Sequence, residues 1–185
     1  MDEQRLRAVL TSVLDRVPPV RYRLVGTAAA LAQGVPMPAA DVDILVATRA
    51  DADSVAATLD AGSPAWLPES RQYFLRVVVD GTPVEVSTVE WPADGDTAEC
   101  AGPGPWQHFV PVAVGRHVVP TVRLELRLVT ELVRDRPDRY RALLAHMRAH
   151  GADRHLLERA MSGRGVDAPL REHVREQLPA GGDLR

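Results

Sequence analysis

The first half of the chain alternates between apolar positions at helical spacing and short apolar runs. Residues 3–16 carry apolar side chains three and four positions apart, which predicts an amphipathic helix that ends before Pro18. Each of the next two apolar runs is followed by a helix-favouring segment. These patterns predict two strand–helix pairs, with strands over 22–26 and 41–47 and helices beginning at Thr27 and covering 51–61.

The second half of the pattern predicts two hairpins and then helices. Residues 71–91 contain two β-rich runs separated by Asp80-Gly81, and 107–120 contains another pair turning at Gly115-Arg116. Helical patterns follow near 121–135, 137–150, 153–161 and 168–178. We therefore predict an α/β (α+β) protein with a small mixed sheet flanked by helices. The predicted division is a core over 1–120 and a C-terminal helical segment over 121–185.

Composition narrows the possible functions. The 185 residues are 45% hydrophobic and 25% charged, as expected of one compact domain or one domain with a small appendage. All 22 basic residues are Arg, so Lys nucleophiles, Schiff bases and a Walker-type phosphate loop are excluded. The net charge of -3 argues against a protein that coats nucleic acid. A single cysteine, Cys100, and the lack of a leader-like apolar segment predict a cytoplasmic location.

The pattern Asp-x-Asp occurs three times, as Asp41/Asp43, Asp51/Asp53 and Asp94/Asp96. The second pair begins a predicted helix, where carboxylates interact favourably with the helix dipole, and the third lies in a Gly- and Pro-rich loop over 92–105. Asp41 and Asp43 alternate with apolar residues at the start of a strand, so their side chains share one face. Two adjacent carboxylates need a neutralising cation, and their oxygens suit Mg²⁺ bound together with phosphates.

A third carboxylate follows on a later strand. Glu85 lies between Val84 and Val86 and therefore projects to the face opposite those two valines. If this strand lies beside the strand over 41–47, Glu85 and the two aspartates converge. Glu90, five residues further on, is the rival for this position, and we favour Glu85 because β-branched residues flank it on both sides.

The dipeptide Gly26-Thr27 ends one strand and begins a helix. Such a turn offers backbone N–H groups, a hydroxyl and the positive end of a helix dipole to a phosphate. A turn with positive φ at Gly26 and a helix cap at Thr27 are structural roles that can coexist with phosphate binding. The sequence thus predicts a phosphate site next to a metal site.

Together these motifs resemble the DNA polymerase β-type nucleotidyltransferase superfamily. Gly26-Thr27, thirteen further residues, the apolar-flanked pair Asp41 and Asp43, and then Glu85 match its pattern over roughly residues 20–90. The resemblance implies a small mixed sheet flanked by helices. It also implies two Mg²⁺ ions held by the three carboxylates, with an acceptor hydroxyl attacking the α-phosphate of a nucleoside triphosphate such as ATP. Thr27 stands where Ser is commoner, and Glu85 where many members carry Asp.

The resemblance also sets the range of acceptors. Similar proteins modify antibiotics, tRNA ends or partner proteins, and some act as toxins. The C-terminal helices, alone or across a homodimer interface, would supply the acceptor pocket. Two alternatives stay open: a non-catalytic nucleotide-binding or protein-interaction module of the same fold, and a nucleic-acid-binding domain that uses the Arg-rich helix after Pro120.

The charged residues of that helix have two interpretations. Arg127 and Glu131 are four residues apart, which favours a salt-bridged face exposed to solvent. Alternatively, one or two of the arginines contact a triphosphate or an RNA acceptor. Arg71 and Arg76, near the start of the predicted hairpin, compete for the same role.

Overall fold

The computed structural model describes residues 1–90, 97–102 and 106–178. Asp94, Asp96 and most of the predicted loop over 92–105 lie outside the described residues. Seven helices form in the part of the chain that is described: α1 (Glu3–Leu14), α2 (Gly26–Ala32), α3 (Arg49–Thr58), α4 (Leu124–Val133), α5 (Pro137–His150), α6 (Arg154–Gly163) and α7 (Ala168–Gln177). The strands are β1 (Tyr22–Val25), β2 (Val42–Val46), β3 (Ala65–Leu67), β4 (Gln72–Val79), β5 (Thr82–Val89), β6 (Phe109–Val114) and β7 (His117–Val122).

The strands form one mixed sheet in the order β3-β4-β5-β2-β1-β7-β6. Strand β2 pairs parallel to β5 and antiparallel to β1, while β1 pairs parallel to β7. The remaining neighbours are antiparallel, including the two predicted hairpins. Both residues of the first hairpin turn have positive φ, 49° at Asp80 and 72° at Gly81, as a two-residue turn of type I′ requires. The prediction of an α/β fold with a mixed sheet is confirmed.

Strand β3 was not predicted. It has only three residues, Ala65–Leu67, and lies between Pro64 and Pro68 at one edge of the sheet. Its pairing with β4 is antiparallel, and the ring of Trp66 lies 4.9 Å from that of Tyr73. A strand this short has no periodic pattern of its own, so its existence depends on β4.

One apolar core connects the sheet with the helices. It extends from Leu6 in α1 through Leu24 and Leu45 in the sheet to Leu128 in α4 and Leu156 in α6, all of them buried. Helix α2 packs on β1, β2 and β7, and α4 packs on α2, α5 and α6. The C-terminal helices therefore share their interior with the sheet, and the division at residue 120 stays a prediction. No helix in the described part of the chain is long and apolar enough to cross a membrane.

Helix α3 has a well-formed N-terminal cap, and removing it gives a testable result. The Thr48 hydroxyl accepts from the Asp51 backbone N–H at 3.1 Å, and the Asp51 carboxylate accepts from the Thr48 N–H at 3.0 Å. Thr48→Ala should therefore lower the free energy of unfolding by about 1 kcal/mol in urea titrations. Ser54→Ala, on the exposed side of the same helix, is the control and should change it by less than about 0.5 kcal/mol. Equal losses in the two variants would contradict the assignment of the cap.

Candidate metal and nucleotide site

Strands β2 and β5 place the three predicted carboxylates together. In their parallel register Asp43 lies opposite Glu85, and Asp41 directly precedes β2. Because Val84 and Val86 are buried on the other face, Glu85 projects to the same side as the aspartates. One carboxylate oxygen of each of the three residues lies within 4.8 Å of the others.

Glu90 lies elsewhere. It follows the end of β5, its side chain is exposed, and its backbone N–H donates to the Arg71 carbonyl at 2.8 Å. Between the two glutamates, it is Glu85 that the structure brings to Asp41 and Asp43. The role of these three carboxylates as ligands stays a prediction.

The carboxylates open into a cavity of about 480 Å³. One wall belongs to the sheet and the strand-ending turn after β1, and the other to the C-terminal helices. The first wall includes Gly26, Thr27, Asp41, Asp43 and Glu85, with Glu99 beside Gly26, and the second wall includes Arg127, Arg134, Arg139 and Arg164. A site with acidic and basic walls suits a metal-bound anion.

Gly26 touches Asp43 directly. Its φ of +70° is one that L side chains rarely adopt, and a Cβ there would overlap Asp43 Oδ2 and lie 2.8 Å from Asp43 Cγ. The turn therefore needs glycine for two reasons, its backbone conformation and the close approach of a carboxylate. Thr27 is buried beside it and also lines the cavity.

The N–H of Gly26 already has a partner. It donates to Oε1 of Glu99 at 2.6 Å. A carboxylate of the protein itself therefore accepts from the N–H that the sequence predicted to bind phosphate. Phosphate binding by Gly26 and Thr27 stays a prediction.

Negative charge accumulates at Asp43, and the nearby Arg127 offsets only part of it. Burial, and then the charges of Asp41, Glu85 and Glu99, raise the pKa of Asp43 from 3.8 to about 7. The nearest cation on the triad itself is Arg76, whose Nε lies 3.6 Å from Glu85 and whose side chain is largely exposed. A divalent cation would supply the missing positive charge, and three carboxylates are the oxygen donors that Mg²⁺ binds, so the residues fit the ion.

Arg127 and Glu131 correct an expectation. Their spacing predicted a solvated ion pair, but Arg127 is 3% and Glu131 0% exposed. The two side chains pair with each other, and Arg127 Nη1 also donates to Glu99 Oε2 at 2.7 Å. The sequence did carry one indication of this burial. The apolar residues Leu126, Leu128 and Val129 lie around the pair and bury α4 on more than one side. Nothing in the local sequence marked Glu99.

The other arginines divide between the cavity and its surroundings. Arg134, Arg139 and Arg164 line the cavity, and Arg139 Nη1 lies 3.3 Å from Glu131 Oε1. Burial and the neighbouring cations Arg136 and Arg127 lower the pKa of Arg139. Arg71 is exposed outside the lining, whereas Arg76 pairs with Glu85. The basic wall is thus built by α4, α5 and the residue that follows α6.

Comparison with solved structures identifies the fold. The chain superimposes on a candidate nucleotidyltransferase from Thermotoga maritima with a TM-score of 0.59 at 19% identity, covering 80% of this chain and 95% of that one. It also superimposes on the antibiotic-resistance factor ANT(2'')-Ia with a TM-score of 0.53 at 12% identity, covering 94% and 98%. No family model and no curated protein sequence matches the chain.

The class of protein follows from these likenesses: the chain has the nucleotidyltransferase fold. The resemblance drawn from Gly26-Thr27, Asp41, Asp43 and Glu85 is confirmed at this level. At such identities the likeness establishes the fold alone, so reaction, metal and substrates belong to the proposal that follows.

Proposed function

We propose that this protein is an Mg²⁺-dependent nucleotidyltransferase that moves a nucleoside monophosphate from a nucleoside triphosphate to an acceptor hydroxyl. The observation that carries the proposal is the convergence of Asp41, Asp43 and Glu85, with ligand oxygens within 4.8 Å, in a cavity of this fold. The like charges around Asp43, which the buried cation Arg127 offsets only in part, support a metal role.

The three carboxylates would hold Mg²⁺, two ions by analogy with the superfamily. When bound, Mg²⁺ neutralises phosphate charge and polarises the phosphoryl group toward attack. Asp41 and Asp43, at the start of β2 and lining the cavity, would orient the donor phosphates through the metal site. Glu85 would complete the site and orient or deprotonate the acceptor hydroxyl.

The donor nucleotide would lie between the two walls. Gly26 and Thr27 would bound its phosphates on the sheet side. On the helix side, Arg134, Arg139 and Arg164 line the cavity and would attract the negative charge of the triphosphate. Among the described residues neither Arg134 nor Arg164 has a carboxylate within 4.0 Å, so both guanidinium groups are available to a ligand.

The acceptor belongs to one of three classes: an antibiotic, a tRNA end or a protein hydroxyl. Of these, a small-molecule antibiotic has the support of the fold shared with an antibiotic-resistance factor. A homodimer and a cytoplasmic location are further parts of the proposal. None of them changes the donor chemistry, which can be tested before any acceptor is known.

Calorimetric titration of the four ribonucleoside triphosphates, with and without Mg²⁺, tests the donor site directly. We expect saturable binding that requires Mg²⁺ in the wild type and falls at least about 100-fold in Asp41→Ala/Asp43→Ala. Asp53→Asn is the matched control, because its exposed carboxylate belongs to a second Asp-x-Asp pair, in α3, where it pairs with Arg49 at 3.6 Å.

The outcomes distinguish an enzyme from a non-catalytic module of the same fold. Mg²⁺-dependent binding that the control retains and the double variant loses supports the enzyme and names the preferred base. A folded wild type that binds no nucleotide contradicts the proposal and favours the non-catalytic module. Binding that survives in the double variant places the nucleotide elsewhere and overturns the assignment of Asp41 and Asp43.

A further inference from the structure

Glu99 is a buried carboxylate that the proposed chemistry does not use. Its side chain is 2% exposed, in the described segment 97–102 that follows β5 and precedes β6. Both oxygens are occupied: Oε1 accepts from the Gly26 N–H at 2.6 Å, and Oε2 accepts from Arg127 Nη1 at 2.7 Å. A buried carboxylate with two charge-assisted or backbone donors is held in one place.

The two partners of Glu99, Gly26 and Arg127, belong to different walls of the cavity. Gly26 forms the turn between β1 and α2 and lies against Asp43, with no room even for a Cβ between them. Arg127 belongs to α4 and pairs with Glu131, which in turn contacts Arg139 on α5. Glu99 therefore joins the sheet turn behind Asp43 to the helices that carry the basic wall.

The contact at Gly26 decides where the carboxylate of Asp43 can lie. Because the Gly26 backbone and Asp43 Oδ2 are packed together, a shift of the turn moves the oxygen that has to meet Asp41 and Glu85. Glu99 holds the turn in place through the Gly26 N–H. Groups that orient metal ligands from behind typically change metal affinity 10–100-fold when they are removed.

We propose that Glu99 is a positioning residue of the carboxylate site: by anchoring Gly26 to Arg127, it keeps Asp43 beside Asp41 and Glu85. The inference rests on the proposed function, since it concerns the formation of the same metal site. Glu99 acts through Gly26 and is not itself a ligand, because the three clustered carboxylates do not include it. Glu99 offers an acceptor oxygen to the Gly26 N–H and a negative charge to Arg127. A substitution can remove the charge and keep the acceptor oxygen, so the two contributions can be measured separately.

Mn²⁺ binding by the full chain, measured by calorimetry, tests the inference without any acceptor. Glu99→Gln keeps an oxygen that can accept from the Gly26 N–H but loses the charge, and Glu99→Ala loses both. We expect Glu99→Ala to weaken Mn²⁺ binding by about 10-fold or more, and Glu99→Gln to retain most of the affinity. Amide exchange at Gly26, followed by NMR without metal, should accelerate in the Ala variant only.

Glu131→Gln is the matched control. It removes the other buried carboxylate from Arg127 but makes no contact with Gly26, so it should cost stability and leave Mn²⁺ affinity within about 2-fold. Each variant is checked by its far-UV spectrum and thermal melt. If Glu99→Ala does not fold, Glu99→Gln decides the question: Mn²⁺ affinity and Gly26 amide exchange like those of Glu131→Gln support the anchoring role, and a loss of affinity relative to Glu131→Gln overturns it.

The results distinguish failure of the inference from failure of the proposed function. Equal losses in Glu99→Gln and Glu99→Ala would show an effect of charge alone and overturn the positioning role. Unchanged affinity in a folded Glu99→Ala would overturn it as well, as would tighter binding. A wild type that binds no Mn²⁺ would overturn the proposed metal site, and the inference with it.

Discussion

Gly26→Ala is expected to abolish divalent-metal binding at the carboxylate site and to lower the free energy of unfolding by about 2–4 kcal/mol. The first cause is the φ of +70°, which costs an L residue about 1–2 kcal/mol. The second is overlap of the new Cβ with Asp43 Oδ2, which forces the carboxylate away from Asp41 and adds an overpacking cost of about 1–2 kcal/mol. Urea unfolding and Mn²⁺ calorimetry measure the two effects.

Substitution of a second glycine, Gly165, separates the backbone cost from the cost of overlap with Asp43. Gly165 has a φ of +65°, and a Cβ there would meet nothing within 4 Å. Gly165→Ala should therefore show only the backbone cost, about 1–2 kcal/mol, with unchanged metal affinity. If Gly26→Ala binds Mn²⁺ as the wild type does, or if Gly165→Ala loses binding to the same extent, the link between Gly26 and Asp43 is wrong.

The local pattern of apolar and polar residues was sufficient to predict most helices and strands of the fold. It was also sufficient to predict which face of its strand each of the three carboxylates occupies. The alternation around Asp43 and around Glu85 places each side chain on one face of its own strand, because side-chain direction in a strand is a local property. That β2 and β5 are neighbours is not local, since about forty residues separate them. Local pattern could not establish this pairing, and the parallel register of β2 and β5 places Asp43 opposite Glu85.

The buried anchor behind the site could not be predicted in the same way. Glu99 lies in a stretch rich in Gly and Pro, and its partners Gly26 and Arg127 are 73 and 28 residues away. Arg127 and Glu131 were misplaced on a solvated face because a spacing of four is common to exposed and buried pairs. Burial of such a pair depends on how α4 packs on α2, α5 and α6, and a spacing of four alone does not reveal that packing.

Asp43→Asn is expected to stabilise the metal-free protein at pH 8 while removing Mg²⁺-dependent nucleotide binding. The pKa of Asp43 is raised from 3.8 to about 7, first by burial and then by Asp41, Glu85 and Glu99. Ionising Asp43 therefore costs the folded state free energy that the unfolded state does not lose. The full linkage for this shift is about 4 kcal/mol, and solvent access to the partly exposed carboxylate reduces our expectation to about 2 kcal/mol.

The sign of the pH dependence follows from proton uptake. Between pH 4 and pH 7 the folded protein holds a proton on Asp43 that the unfolded chain has released, so this group lowers stability as the pH rises through that window. Above pH 7 the cost is complete. The gain from Asp43→Asn should thus be about 2 kcal/mol at pH 8, fall below half of that value at pH 5 and approach zero near pH 4, as measured by urea unfolding in the presence of a chelator.

Addition of a divalent metal should make the wild type more stable than Asp43→Asn, the reverse of the order expected without metal. We expect Mg²⁺ or Mn²⁺ to bind the folded wild type and to raise its stability with concentration, whereas Asp43→Asn lacks the charge and should gain little. Asp53→Asn, which removes an exposed carboxylate paired with Arg49, should show neither the pH-dependent gain nor the loss of the metal response. A gain from Asp43→Asn that is equal at pH 5 and pH 8 would contradict the raised pKa. A full metal response in that variant would contradict the role of Asp43 as a ligand, even if the pH dependence is as expected.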